Sequence, residues 1–308
     1  SLNMVDIANR IPDATGSAAL FVGFGFMVAG ILVKAAIFPV HIWLPAAYSY
    51  APSAVSTLLA SIATKAALYV LARILFTVFG GMPDVVTIAL SNVIVPLAVG
   101  GVFVGTIMAI YEADIKKLFA HSSVAQIGYI ALGLGLGTPA SVSAAFIHIG
   151  NHALIKGGIF MAIGGFVAAL GARASLDSLI GIGRRLPLTA TAFLICGLSL
   201  AGLPLTAGFI SKLYLVRAIL ETESYVILAL VLISSALSVV YLWKIMEVMW
   251  MQPAPTRSPK LVENPAIYLP IWIVALGNIW FGIDASWLVS ASRMAAQVLF
   301  DVSLEGGA

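Results

Sequence analysis

The stretch GILVKAAIFPVHIWLPAAYSYAPSAVSTLLASIATKAALYVLAR, residues 30–73, places Lys34 and Lys65 inside two consecutive apolar runs. A proline-rich turn carrying His41, Trp43, Pro45 and Pro52 joins the runs. A charged side chain at the centre of a bilayer costs about 2.5–3.5 kcal/mol on insertion scales, so intramembrane lysines are functional-site candidates by default.

The rest of the chain supports the membrane reading. Of its 308 residues, 61% are hydrophobic and only 9% charged, which no soluble globular class matches. The net charge of +3 comes from basic residues in short loops, where they report orientation, and nucleic-acid binding is not expected. The single cysteine, Cys196, excludes a disulfide framework within the chain and a cysteine-ligated iron–sulfur cluster. Gly133, Gly135 and Gly137, like Gly181 and Gly183, follow no strand, so a dinucleotide site is not expected either. Gly157, Gly158, Gly164 and Gly165 read instead as points where helices approach closely.

Hydropathy predicts an all-α bundle of eight spans at residues 18–38, 51–79, 85–110, 115–136, 142–170, 188–220, 225–250 and 267–289. These form one transmembrane domain over 1–308. Residues 1–79 read as the end of a first repeat, 85–250 as a second repeat, 267–289 as a final helix and 290–308 as a tail. Lys116 and Lys117, then Arg173, Arg184 and Arg185, then Arg257 and Lys260 gather in alternate loops, which puts those loops in the cytoplasm.

The 188–220 run would measure ~50 Å as a straight helix, against ~30 Å of hydrocarbon. Its AGLPLTAGFISK segment predicts a break, because Pro204 removes a backbone donor while Gly202 and Gly208 permit unwinding. The first span ends similarly, with Lys34 five residues before Pro39. These two spans are five apart, an odd offset that implies opposite orientation, as in inverted-repeat transporters. The spacing from Lys34 to Lys65 and from Lys212 to Lys244 hints at the same repeat.

Lys65 is too deep in its span for its stem to reach either surface, and Lys212 lies past the Pro204 break; both read as interior groups rather than snorkelling ones. Lys244, with Glu247 one turn on, reads as an interfacial pair. His148, His152 and Lys156 stand at i, i+4 and i+8, one helical stripe at about 6 Å intervals, suited to handing on a proton through intervening water. The HIGNH spacing also suits two zinc ligands, but Gly150 and Asn151 supply no base and no third ligand is near, so no metal is expected. No acidic residue neighbours Lys34, Lys65, Lys156 or Lys212 in sequence, and Asp284 has no evident role. An ammonium lacking a counter-ion in a low-dielectric site releases its proton more readily than one in water. A carboxylate about 4 Å away would oppose that by ~4 kcal/mol at an effective dielectric of ~20, so a moving carboxylate would act as a switch.

The motifs KAAIFPVHIWLPAAYSYAPSAVS, LLASIATKAALYVLAR, DIKKLFAHSSVAQIGYIALG, NHALIKGGIF and GLPLTAGFISK cover most of residues 30–215. In this order and spacing the chain resembles the antiporter-like proton-translocating subunits shared by Mrp-type Na+/H+ antiporters and respiratory complex I. The wording is most similar to the D-type subunits of the Mrp antiporters. The resemblance implies the last eight of fourteen helices. Lys34 would be the broken-helix lysine, Lys65 the central one and Lys212 the terminal one, while His152 and Lys156 match the bridging helix. It also implies a glutamate on an earlier helix, paired with Lys34, in a segment this sequence lacks.

The expected function is proton translocation in a multisubunit Na+/H+ antiporter of a bacterial inner membrane, with other membrane subunits as partners and no cofactor. The alternative is a proton-pumping subunit of complex I or of a membrane-bound hydrogenase. A redox enzyme holding its own cofactor would need ligands this sequence does not offer. A scaffold with vestigial lysines would predict that Lys65→Ala leaves ion movement unchanged.

Overall fold

In a bilayer every backbone N–H and C=O must be paired within the protein, so a chain this apolar crosses as helices. The structure, a computed structural model, describes residues 3–14, 17–254 and 261–305. A short helix α1 (Met4–Arg10) precedes α2 (Ala18–Ala35) and α3 (Trp43–Tyr50). Then come α4 (Ser53–Val78), α5 (Pro83–Tyr111), α6 (Ile115–Gly135) and α7 (Pro139–Leu170). The short α8 (Ile182–Arg185) leads into α9 (Pro187–Ala201) and α10 (Ala207–Glu221). The chain continues through α11 (Tyr225–Met251), α12 (Pro265–Ile283) and α13 (Ser286–Glu305).

Seven helices among the described residues, α2, α4, α5, α6, α7, α11 and α12, are long and apolar enough to cross a membrane. The remaining expected span, 188–220, is the pair α9 and α10 with a break at Gly202–Thr206, bounded by left-handed Gly202 and Leu205. The first expected span likewise stops short of Pro39: α2 ends at Ala35, capped by left-handed Ala36, and the Trp43 indole of α3 donates to the Val33 carbonyl at 2.9 Å.

Sequence-local caps set the helix boundaries. Asp114 accepts from Lys117 N at 3.0 Å, Thr138 and Ser141 form a capping box, Asn264 accepts from Ala266 N at 3.0 Å, and Gly171 ends α7 in the left-handed conformation.

The long helix α7 is the spine of the bundle, touching α4, α6, α9, α10, α12 and α13. Small residues permit this. Gly164 faces Ser53 and Gly157 faces Ser61 of α4, while Gly158 faces Cys196 of α9 and Gly165 faces Ile267 of α12. The spanning window of α6 is wholly buried, which explains why apolar residues ring it on every side. By contrast α2 buries only the stripe Phe24, Val28, Leu32 and Ala35.

The loops that follow α5 and α7 meet at one end of the bundle, where the end of α11 joins them. Asp114 pairs with Ser175 as an isolated antiparallel bridge, and Gly181 N donates to Val248 O at 3.0 Å. Arg173 lies over the Tyr50 ring at the same end. Arg257 and Lys260 lie outside the described residues.

The C-terminal segment differs from expectation. The 267–289 span is two helices, broken at Asp284–Ala285, and residues 290–305 of the expected tail belong to α13. Asp284 accepts from Ser286 N at 3.0 Å, so the carboxylate that lacked a role starts a new helix. The new helix lies against α7 and the Arg73–Val78 end of α4.

Candidate functional site

The i, i+4, i+8 stripe of α7 is realised: the His148 and His152 rings stack with centroids 5.9 Å apart and planes within 3°. His148 bridges two other helices. Its Nε2 donates to Gln126 Oε1 of α6 at 3.0 Å, leaving Nδ1 to accept from the Ser211 hydroxyl of α10 at 2.8 Å. That hydroxyl has a second acceptor, the Gly208 carbonyl at 3.0 Å, so its one hydrogen has two places to go. His152 is fully buried, and neither ring nitrogen has a hydrogen-bond partner among the described residues.

Lys156, also fully buried, donates to the Phe119 carbonyl at 2.7 Å and to Ser122 Oγ at 2.5 Å, both on α6. Lys65 is 4% exposed, and its ammonium turns back to the Ala60 carbonyl. The π-helical stretch Leu59–Ala63 just before it offers such carbonyls, a local widening found often at functional sites. Lys65 also lines a cavity of ≈ 520 Å³ with Tyr69 of α4, Phe146 and Ile149 of α7, and Ala291 and Ser292 of α13.

Lys212 donates to Ala201 O at 2.7 Å and Ser235 Oγ at 2.8 Å, with its ammonium 5.4 Å from the Tyr129 ring centroid. It caps the C-terminus of α9 across the break, where the helix dipole favours a cation. Gly202 makes room: a Cβ there would lie 2.9 Å from Lys212 Cδ. Gly208 lets α10 start against α9, its N–H donating to Ser199 Oγ at 3.1 Å. Pro204 lies within the break, and Pro39 lies between α2 and α3.

Tyr129 joins two of these groups, its ring centroid 5.4 Å from the Lys212 ammonium and 6.0 Å from the His148 ring, and Lys65 shares its cavity with Ile149 and Ala153 of α7, beside the His148–Lys156 stripe. Lys34 stands apart, exposed at the end of α2, with no hydrogen bond or ion pair among the described residues. No acidic side chain pairs with any of these lysines among the described residues.

The sequence reading missed Gln126, Ser122, Ser211 and Ser235, which hold the ends of this line. It also passed over His121, buried in α6. One expectation is corrected: Lys244 does not pair with Glu247. It donates to Ile110 O at 3.1 Å and Glu112 O at 3.4 Å, because the C-terminal carbonyls of α5 need donors more than an exposed carboxylate does.

Broken apolar helices around a buried polar line define an α-helical integral membrane protein. The sequence model of the family described as NADH:quinone oxidoreductase/Mrp antiporter, TM, matches residues 1–238, and the chain belongs to that family. It is 37% identical over 303 residues to NADH-quinone oxidoreductase subunit N of Desulforudis audaxviator, covering 94% of this chain and 60% of that protein. It is 28% identical over 303 residues to the D-type subunit of the Na+/H+ antiporter of Bacillus subtilis, covering 98% and 60% respectively. A chain of the Mrp complex from Dietzia sp. superposes with a TM-score of 0.87 at 25% identity, covering 100% of this chain and 64% of that one. The chain thus spans about 60% of the length of the curated relatives it matches.

Proposed function

We propose that this chain carries protons across a bacterial inner membrane along Lys156, His152, Lys65, His148 and Lys212, as one subunit of a hetero-oligomeric cation/proton antiporter. The reading rests on one observation: buried ammonium and imidazole groups follow one another through the bundle with no carboxylate paired to them among the described residues. Lys212 exchanges protons with one side, Lys65 holds the middle, and Lys34 answers a glutamate on a further helix of the same protein or of a partner subunit. The exposed face of α2 is where such a helix would dock. The His148–Ser211 pair passes a proton by rotation of the hydroxyl, and water completes the wider gaps. No bond between heavy atoms is made or broken.

In the antiporter version, Na+ moves opposite to the proton, with partner subunits completing the route. The second reading is a redox-driven proton pump of the complex I type, favoured by the 37% identity to an N-type oxidoreductase subunit against 28% to a D-type antiporter subunit.

Inside-out vesicles containing the complete native complex, energised to an acid interior with no redox substrate turning over, test both. Collapse of the pH gradient on adding Na+ in wild type but not in Lys65→Ala establishes antiport through this line. Silence toward Na+, with substrate-driven pumping that Lys65→Ala abolishes, assigns the chain to a redox-driven complex. Transport unchanged by Lys65→Ala refutes the pathway.

A further inference from the structure

A second polar site lies outside the proton line. Where α7 begins and α10 ends, a cleft of ≈ 300 Å³ is lined by Ser143, Tyr214, Arg217, Glu221, Arg293 and Gln297. Two guanidinium groups converge on one aromatic ring: Arg217 Cζ lies 5.8 Å and Arg293 Cζ 5.7 Å from the Tyr214 centroid. Neither arginine makes an ion pair among the described residues, although Glu221 lines the same cleft. Each guanidinium brings five N–H donors in a planar fork that matches phosphate oxygens.

The wall of the cleft carries an independent sign of a ligand. Ser143 is 4% exposed and its Oγ has no hydrogen-bond partner among the described residues, yet the residue lines this cleft. A buried hydroxyl left unpaired costs free energy that a bound acceptor would recover. Pro139 and Ala140, the first two residues of α7, also line the cleft, so the positive end of this 32-residue helix borders the same space. Position sets the class of ligand. Ends of membrane-spanning helices lie at headgroup level, where phosphodiester groups are concentrated.

The geometry points to a phosphate-binding site between α7, α10 and α13, made for the phosphodiester of an anionic lipid headgroup. Arg217 and Arg293 grip the phosphate oxygens, Ser143 donates from below, and Tyr214 holds both guanidinium planes in place. Glu221 reduces the positive charge of the cleft and so weakens binding.

The native complex in phosphatidylcholine nanodiscs doped with a photoactivatable phosphatidylglycerol provides the test, read as crosslinking to the peptide containing Tyr214–Glu221. Arg217→Gln/Arg293→Gln lowers the yield about tenfold, as expected for lost charge-assisted hydrogen bonds, whereas Glu221→Gln raises it. Lipid that excess inorganic phosphate cannot displace identifies a headgroup site; lipid displaced by inorganic phosphate identifies a site for the free anion, with the same residues. Equal yields in wild type, the double arginine variant and Glu221→Gln overturn the proposal. Should the double variant fail to assemble, Ser143→Ala and Glu221→Gln decide by the same readout, and no change in either overturns it.

Discussion

The Lys212 ammonium lies 2.7 Å from the carbonyl oxygen of Ala201, the last residue of α9, although a break and 11 positions of sequence separate them. The broken helix is therefore closed by its own lysine, and the dipole of one half holds the charge presented by the other. Loss or gain of a proton at Lys212 changes how the two halves are joined.

Gly202 tests that arrangement. Its φ of 89° is left-handed, and a Cβ would press on the Lys212 side chain. Gly202→Ala should cost about 1–2 kcal/mol in stability from backbone conformation alone. It should also slow transport by displacing the ammonium. Thermal unfolding of the solubilised complex and vesicle pH-gradient assays check the two effects.

Lys156→Met separates function from folding. Burying an ion costs several kcal/mol of desolvation, and an apolar side chain of similar length avoids that cost. Transport should fall to background while the unfolding temperature holds or rises. An unfolding temperature that falls with transport would make Lys156 a structural residue.

Gln126→Leu removes the acceptor of His148 Nε2 and leaves a buried donor unpaired. The expected cost is about 1–3 kcal/mol, with slowed proton movement because the tautomer of His148 is no longer fixed. Chemical denaturation and initial transport rates read these out.

Two glycines give a contrast in packing. A methyl group at Gly208 would overlap the Ser199 carbonyl, whereas at Gly23 nothing lies within 4 Å. Gly208→Ala should sharply reduce the amount of assembled protein in the membrane, and Gly23→Ala should leave the isolated fold unchanged. Quantifying folded protein by size-exclusion fluorescence distinguishes them.

Lys244→Met removes donors from the end of α5 without touching the buried line. A loss of about 1 kcal/mol in stability with normal transport is expected. Impaired transport would place Lys244 in the pathway.

Most of the helices, the break at Gly202–Thr206 and the titratable stripe of α7 are legible in the sequence, because each is written in neighbouring residues. Hydropathy over about 20 residues marks a span, Gly202 and Pro204 mark a break, and i, i+4 spacing puts His148, His152 and Lys156 on one face. Local rules also misled. Glu247, near in sequence, suggested a partner for Lys244 that the structure gives to carbonyls 132 and 134 positions away. A continuous apolar run concealed the second start made at Asp284. What each buried charge touches is settled in three dimensions alone. The partners of His148 lie 22 and 63 positions away, and those of Lys156 on α6 lie 34 and 37 away. Hydrogen-bond partners across helices depend on rotation and depth of one helix against another, which interlocking small residues such as Gly157 and Gly158 set by contact and no local pattern encodes.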